Sequence, residues 1–341
     1  MRHVWKGRRK AAESILFWSG LGFAYERLAR PTGAVILMYH SVARPEVAPF
    51  IDPPNHLASS TFERQMLFLK RYRKVVSLAD LIQSLEAGET PDAGTVCITL
   101  DDGYLDTLTV AAPILSSLYL PATVFLATGY VGAVEPQWAD RAHVAVARRQ
   151  NHRLILPDVG IDVDMRLADQ RREAARLLHA YLLDALPGAR EATLHQMERQ
   201  LAPSLGSAPR LGMSWDDARA MRDRYPLIEI GGHTCGHTDL TTHGGAIGRE
   251  EVDGCADDLR RELGIDPRLF AFPYGRSNDE ARSIVADCGW QAALGTNGRS
   301  RIEVASDRFD LPRLETPRTM AELRLKTSGA YPGGMILFGK R

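Results

Sequence analysis

From Ala34 onward the chain alternates short, β-branched apolar runs with longer segments whose apolar residues recur at helical spacing, and few folds tolerate that pattern. The runs AVILMYH (34–40), TVCITL (95–100), ATVFLA (122–127), LIEIGG (227–232), LFAFPYG (269–275) and QAALGT (291–296) read as buried parallel strands. Between them, TFERQMLFLKRY, SLADLIQSLEAG, LTVAAPILSSLY, SWDDARAMRDRY, REEVDGCADDLRREL and NDEARSIVADCG carry helical periodicity, several of them opened by a Ser, Thr or Asn whose side chain can cap the helix N-terminus. Such a chain folds as an α/β protein, closed or open. In a barrel, chemistry gathers where strands end and loops begin.

Composition excludes several functions without selecting one. At 341 residues and 45% hydrophobic the chain is long enough for one large domain or two small ones. Lys+Arg and Asp+Glu both count 42, so no net charge draws the protein to nucleic acid. Cys97, Cys235, Cys255 and Cys288 show no C-x-x-C spacing, which suggests neither a disulfide framework nor a cysteine-based zinc site; they read as reduced, mostly buried thiols.

Polar residues cluster at the ends of the expected strands. Asp101 and Asp102 follow CITL, His233 and His237 follow LIEI, Pro273 and Tyr274 follow LFAF, and His40 ends VILMY. Adjacent carboxylates repel, and burying either one costs several kcal/mol unless a cation or donor compensates. Two histidines four apart plus a carboxylate from another strand end suit zinc, cobalt, manganese or nickel, because imidazole nitrogen and carboxylate oxygen fill part of a coordination shell and leave room for water. An H-x-x-x-H alone is more often a surface or core pair; joined to an Asp-Asp-Gly at another strand end it points to a divalent metal, zinc first.

These residues resemble the polysaccharide deacetylases of carbohydrate esterase family four, which include chitooligosaccharide deacetylases. The family's Thr-Phe-Asp-Asp-Gly appears as Thr99, Leu100, Asp101, Asp102, Gly103, and its His-Ser/Thr-x-x-His as His233, Thr234, Cys235, Gly236, His237. WAD (138–140) and WDD (215–217) fall where relatives often carry similar segments. The resemblance covers roughly residues 35–313. It implies a distorted (β/α) barrel of about seven strands and a divalent metal held by Asp102, His233 and His237. It also implies removal of an acetyl group from an N-acetylated sugar, with Asp101 as the base toward the attacking water and the Tyr274 backbone N–H offered to the oxyanion.

Two departures set further expectations. The third motif, usually Arg-x-Pro-Tyr, has Ala271 in place of the arginine, and no histidine follows His243, so the family's late proton-donating histidine is missing. His40 is the candidate acid, against a core or metal-adjacent histidine. Arg313 in LPRLE is the candidate replacement guanidinium that orients Asp101, against a structural salt bridge. Cys235 reads as a tucked-in apolar residue rather than a further soft ligand. Two other readings stand beside deacetylation: a degenerate glycan-binding protein that keeps its metal, and a deformylase of a lipid-linked sugar.

The expected organisation is an N-terminal segment (1–33), a barrel (34–318) with a helical insertion at about 142–211, and a C-terminal tail (319–341). Trp5, Phe17, Trp18, Phe23 and Tyr25 with Lys6, Arg8, Arg9 and Lys10 describe a cationic amphipathic helix that rests on an anionic membrane through residues 1–30, or one packed on the domain. The apolar run there is too short to span a bilayer, and no small-residue cleavage site follows it. The expected site of action is therefore the cytoplasm, at the inner face of the membrane if that helix is interfacial. The insertion, with Leu177, Leu178, Tyr181 and Leu182 as one stripe, is either a lid or binding surface for an N-acetylated or lipid-linked glycan, or a packed helical pair.

Overall fold

The computed structural model describes residues 32–298 and 301–328; the expected N-terminal helix lies outside them. Parallel strands β1 (Ala34–Tyr39), β3 (Thr95–Leu100), β4 (Ala122–Leu126), β7 (Ile228–Gly232), β8 (Leu269–Ala271), β9 (Ala292–Gly295) and β10 (Leu311–Leu314) run in the order β1-β10-β9-β8-β7-β4-β3. Pairing of β1 with β3 closes the barrel, in register from Ala34↔Thr95 to Tyr39↔Leu100. The two-residue β2 (Lys74–Val75) flanks the start of β3. Around the barrel lie α1 (Ser59–Tyr72), α2 (Leu78–Glu86), α3 (Ala112–Ser117), α7 (Trp215–Arg224), α8 (Gly245–Leu263) and α9 (Asp279–Asp287).

Side-chain alternation divides the core. Ile36, Cys97, Phe125, Ala271, Leu294 and Leu311 join one buried cluster that fills the barrel. The opposite parity, Val35, Leu37 and Tyr39 of β1 and Val96, Ile98 and Leu100 of β3, packs with Phe62, Met66 and Leu115 of the helices. Strand faces alternate with period two, so the inward face continues upward as Thr99 then Asp101, Met38 then His40, and Arg313. Gly231 is required on the same face of β7: a Cβ there would sit 2.7 Å from the Phe125 ring and 2.4 Å from the Leu269 carbonyl oxygen.

Three elements differ from the sequence expectation. Strand β10 was not expected, because Pro312 has no N–H to give a ladder and argues against an interior strand. The insertion is not wholly helical: α4 (Trp138–Ala147), α5 (Ala168–Asp184) and α6 (Pro187–Leu201) surround an antiparallel hairpin, β5 (Arg153–Leu156) with β6 (Ile161–Asp164). They share a core of their own, including Trp138, Leu154, Ile161, Leu178, Leu182 and Met197. Of the expected stripe, Leu178 and Leu182 are buried and Leu177 and Tyr181 half-buried. Finally, the expected tail contains α10 (Met320–Thr327), whose Leu323 is fully buried against the main core. No helix among the described residues is long and apolar enough to cross a membrane.

Candidate active site

Asp101 is the inward residue that follows Thr99 at the top of β3. Its N–H donates to the Tyr39 carbonyl at 2.9 Å, which extends the β1–β3 ladder by one residue. The Arg313 Nη1 donates to its Oδ1 at 2.7 Å, and both side chains are almost wholly buried. Arg313 also lies over the Phe125 ring, 5.7 Å from its centroid. Burial pushes the Asp101 carboxyl up, but Arg313, with His233 and His40, outweighs it and holds the group below the usual carboxylate range.

The strand breaks at the next residue. Asp102 has φ +76° and Gly103 φ +75°, a left-handed pair that swings the Asp102 carboxylate away from the direction strand alternation would give it. A non-glycine residue in this region costs roughly 1–3 kcal/mol and persists where surrounding contacts impose it. Gln137 Nε2 donates to the Asp102 carbonyl at 3.4 Å. Thr234 (φ +60°), His237 (φ +53°) and Tyr274 (φ +59°) share the conformation, so with Asp102 four of the six described non-glycine residues with positive φ lie on the loops at this end of the barrel.

His233, continuing the inward face of β7 past Gly231, places its Nδ1 2.6 Å from the Ala271 carbonyl oxygen. That bond assigns the proton to Nδ1 and leaves the Nε2 lone pair facing the carboxylates. Burial, reinforced by His237 and Arg313 against the pull of the two aspartates, lowers His233 to about 4, so the ring is neutral near pH 7. Asp102 Oδ1 lies 3.3 Å from His237 Nε2 and 3.6 Å from His233 Nε2. Burial opposes ionisation of Asp102, yet the surrounding imidazoles, His237 first, hold the carboxyl well below its usual range.

The donor chemistry fits a divalent cation. Asp102, His233 and His237 bring one ligand atom each within 4.8 Å of one another. Asp102 Oδ1 is a buried oxygen without a hydrogen-bond partner, a costly state that a cation relieves. Asp101 stands outside that set, its Oδ2 4.0 Å from His233 Nε2.

The structure brings the other expected residues to the same mouth. His40 caps the inward face of β1, half-buried, its Nδ1 without a hydrogen-bond partner. Tyr274 packs its ring edge-on against His237, centroids 4.6 Å apart, and its hydroxyl donates to the His237 carbonyl at 3.1 Å. The Cys235 thiol points to α8, 3.5 Å from Thr128 Oγ1 and 3.9 Å from an Asp258 oxygen; burial raises it to about 11, so it stays a protonated thiol outside the ligand set. WDD serves α7 instead of the site, with Asp217 completing a capping box on Ser214. WAD serves the site: Trp138 Nε1 donates to the Tyr274 hydroxyl at 3.1 Å, and Asp140 accepts from the Tyr104 hydroxyl at 2.9 Å and the Asp52 N–H at 2.7 Å.

Sequence reasoning missed Gln137, Arg190 and Asp106. Asp106 accepts from Ser41 Oγ at 2.6 Å and the Val42 N–H at 2.9 Å and so ties the segment after His40 to the segment after Asp102. Its position four residues past Asp102 was the available signal.

Comparison with known proteins agrees with this geometry. Residues 188–293 match the family described as polysaccharide deacetylase, a span that includes His233, His237 and Tyr274 and stops short of the Asp101 turn. Among solved structures, the deacetylase PplD of Streptococcus pyogenes in complex with acetate is 20% identical, covers 87% of this chain and 99% of its own, and superposes with a TM-score of 0.56. IcaB from Ammonifex degensii is 17% identical over 89% of this chain and 98% of its own, TM-score 0.57. A polysaccharide deacetylase from Bacillus cereus is 15% identical over 88% and 69%, TM-score 0.55. No curated protein matches the chain. The family match thus falls on the second half of a barrel that shares its fold with solved deacetylases and carries an Asp-His-His cluster at its mouth.

Proposed function

We propose that the protein removes the N-acetyl group from an N-acetylated amino sugar in an oligosaccharide, polysaccharide or glycolipid, using a divalent metal, zinc foremost, held by Asp102, His233 and His237. The observation that carries this reading is the division of the carboxylate pair. Asp102 faces the two imidazoles, whereas Asp101, one residue away, is held ionised by Arg313 outside the ligand set. A bound divalent ion supplies a Lewis acid for the acyl carbonyl and acidifies water.

The chain's own groups do the rest. Asp101, ionised at neutral pH, takes the proton of the attacking water. The Tyr274 backbone N–H donates to the oxyanion, an interaction whose loss typically costs about a hundredfold or more in rate. His40 gives a proton to the departing amine, so that an acetate and a free amine leave. Acetate in the PplD structure supports the choice of acyl group.

The test is acetate release from an N-acetylglucosamine oligomer by metal-reconstituted protein beside Asp101→Asn, with metal content measured for both. The expected result is release by the wild type, reduced about 10²- to 10⁴-fold in a variant that retains its metal. A variant that loses metal and activity together would make Asp101 a ligand, and a metal-loaded wild type inert on N-acetylated glycans would remove the assignment.

A further inference from the structure

We infer that Arg190, on α6 of the insertion, is a positioning residue for the metal-ligating loop, acting with Trp138 to fix the backbone on both sides of His237. The inference rests on the reading of Asp102, His233 and His237 as a metal site.

Arg190 is 2% exposed. Two of its donors serve the insertion: Nε donates to Leu182 O at 2.8 Å and Nη2 to Ala185 O at 3.1 Å, carbonyls at the C-terminal end of α5 that lack helical partners. The third leaves the insertion altogether, Nη1 donating to Gly236 O at 3.3 Å. That oxygen belongs to the Gly236–His237 peptide. The peptide before it is held from α8, where Glu251 Oε2 accepts the Gly236 N–H at 2.7 Å. On the far side of His237, the Tyr274 hydroxyl donates to the His237 carbonyl and accepts from Trp138 Nε1, each at 3.1 Å.

The Arg190 guanidinium lies 5.6 Å from the Trp138 ring centroid, so the two arms meet inside the insertion core. His237 has φ +53°, a conformation a β-substituted residue adopts only where its neighbours impose it. With both flanking carbonyls engaged, the direction of the imidazole is set by Arg190 directly and by Trp138 through Tyr274. A helix cap at α5 requires none of this reach. The orientation of a ligand depends on such supporting hydrogen bonds, and their loss typically weakens metal binding about 10- to 100-fold.

The experiment measures zinc affinity by chelator competition and the Co²⁺ absorption spectrum for full-length wild type, Arg190→Met, Trp138→Phe and Leu178→Ala. Arg190→Met is expected to bind zinc about 10- to 100-fold more weakly with an altered Co²⁺ spectrum, and Trp138→Phe to lose less. Leu178→Ala, which loosens the insertion core without touching the His237 loop, is expected to lower Tm and leave affinity within about twofold. A folded Arg190→Met with wild-type affinity and spectrum overturns the inference, as does a Leu178→Ala that loses as much affinity as Arg190→Met. If Arg190→Met does not fold, Trp138→Phe decides, and unchanged affinity and spectrum there overturn it. Absence of any divalent binding by the wild type overturns the metal-site reading itself.

Discussion

Two regions meet above the barrel, and they are built by different means. The strand-end layer takes one side chain from the inward face of each of several strands: His40 after β1, Asp101 after β3, His233 after β7 and Arg313 on β10. Each is placed by a hydrogen-bonded ladder beneath it. The 138–201 insertion has its own apolar core, against which Tyr274 packs, and it reaches the site further through polar bonds from Trp138, Asp140 and Arg190. In the first region position follows from alternation along a strand; in the second it depends on long-range hydrogen bonds that can be cut one at a time.

The sharpest way to break that contrast is to remove a strand-end side chain for which a chemical role is proposed. His40→Ala is expected to keep its metal and lower turnover about 10²- to 10⁴-fold, the range for a positioned proton donor, read as kcat beside metal content. Loss of metal with activity would turn His40 into a ligand or a structural residue and place it with the supports instead of the reacting groups.

A smaller effect is expected at Arg313. In Arg313→Met the upward push of burial on Asp101 loses its main opponent, so the carboxyl titrates higher. Only the ionised form accepts a proton, so the acid limb of kcat/KM moves to higher pH and activity partly recovers toward alkaline pH. Removing one member of a buried pair also costs about 3–5 kcal/mol of stability, read as a fall in Tm. An unmoved acid limb would leave Arg313 with the salt-bridge role alone.

The same contrast explains what the sequence disclosed. Strand parity is local, so continuous apolar runs located six of the barrel strands, and the polar residues at their ends named Asp101, Asp102, His233 and His237. Arg313 was singled out as a guanidinium, while its strand went unseen because Pro312 masks the pattern. Nothing local marks Arg190 as the partner of Gly236 or Gln137 as the donor to Asp102; those bonds link residues 46 and 35 positions apart. The β5–β6 hairpin was hidden for a related reason: four-residue strands inside an arginine- and leucine-rich stretch offer too short a period to separate from helix. The helix α10, expected as tail, has little amphipathic pattern; Leu323, with half-buried Met320 beside it, anchors it in the main core.

The smallest expected effect lies at the seam between the two regions. Asp140 opens α4 and is bonded to Tyr104 and Asp52 of the barrel side. Burial raises its carboxyl to about 7, partly offset by those two donors. A group whose folded pKa lies above its unfolded value contributes stability that is fully present below about 4 and is lost as pH rises toward 7. His233 works in the opposite sense: its ring is lowered from 6.5 to about 4, so stability is lost as pH falls through that window. The wild type therefore carries opposing slopes across pH 4–6.5. Asp140→Asn removes one of them, and its stability relative to wild type is expected to rise with pH between about 4 and 7, by at most about 1.4 kcal/mol per pH unit. Chemical denaturation of both proteins at half-unit intervals of pH measures this. A difference that does not change with pH would mean that the seam carboxylate titrates like a solvated one and that the insertion meets the barrel through a wetter contact than its burial indicates.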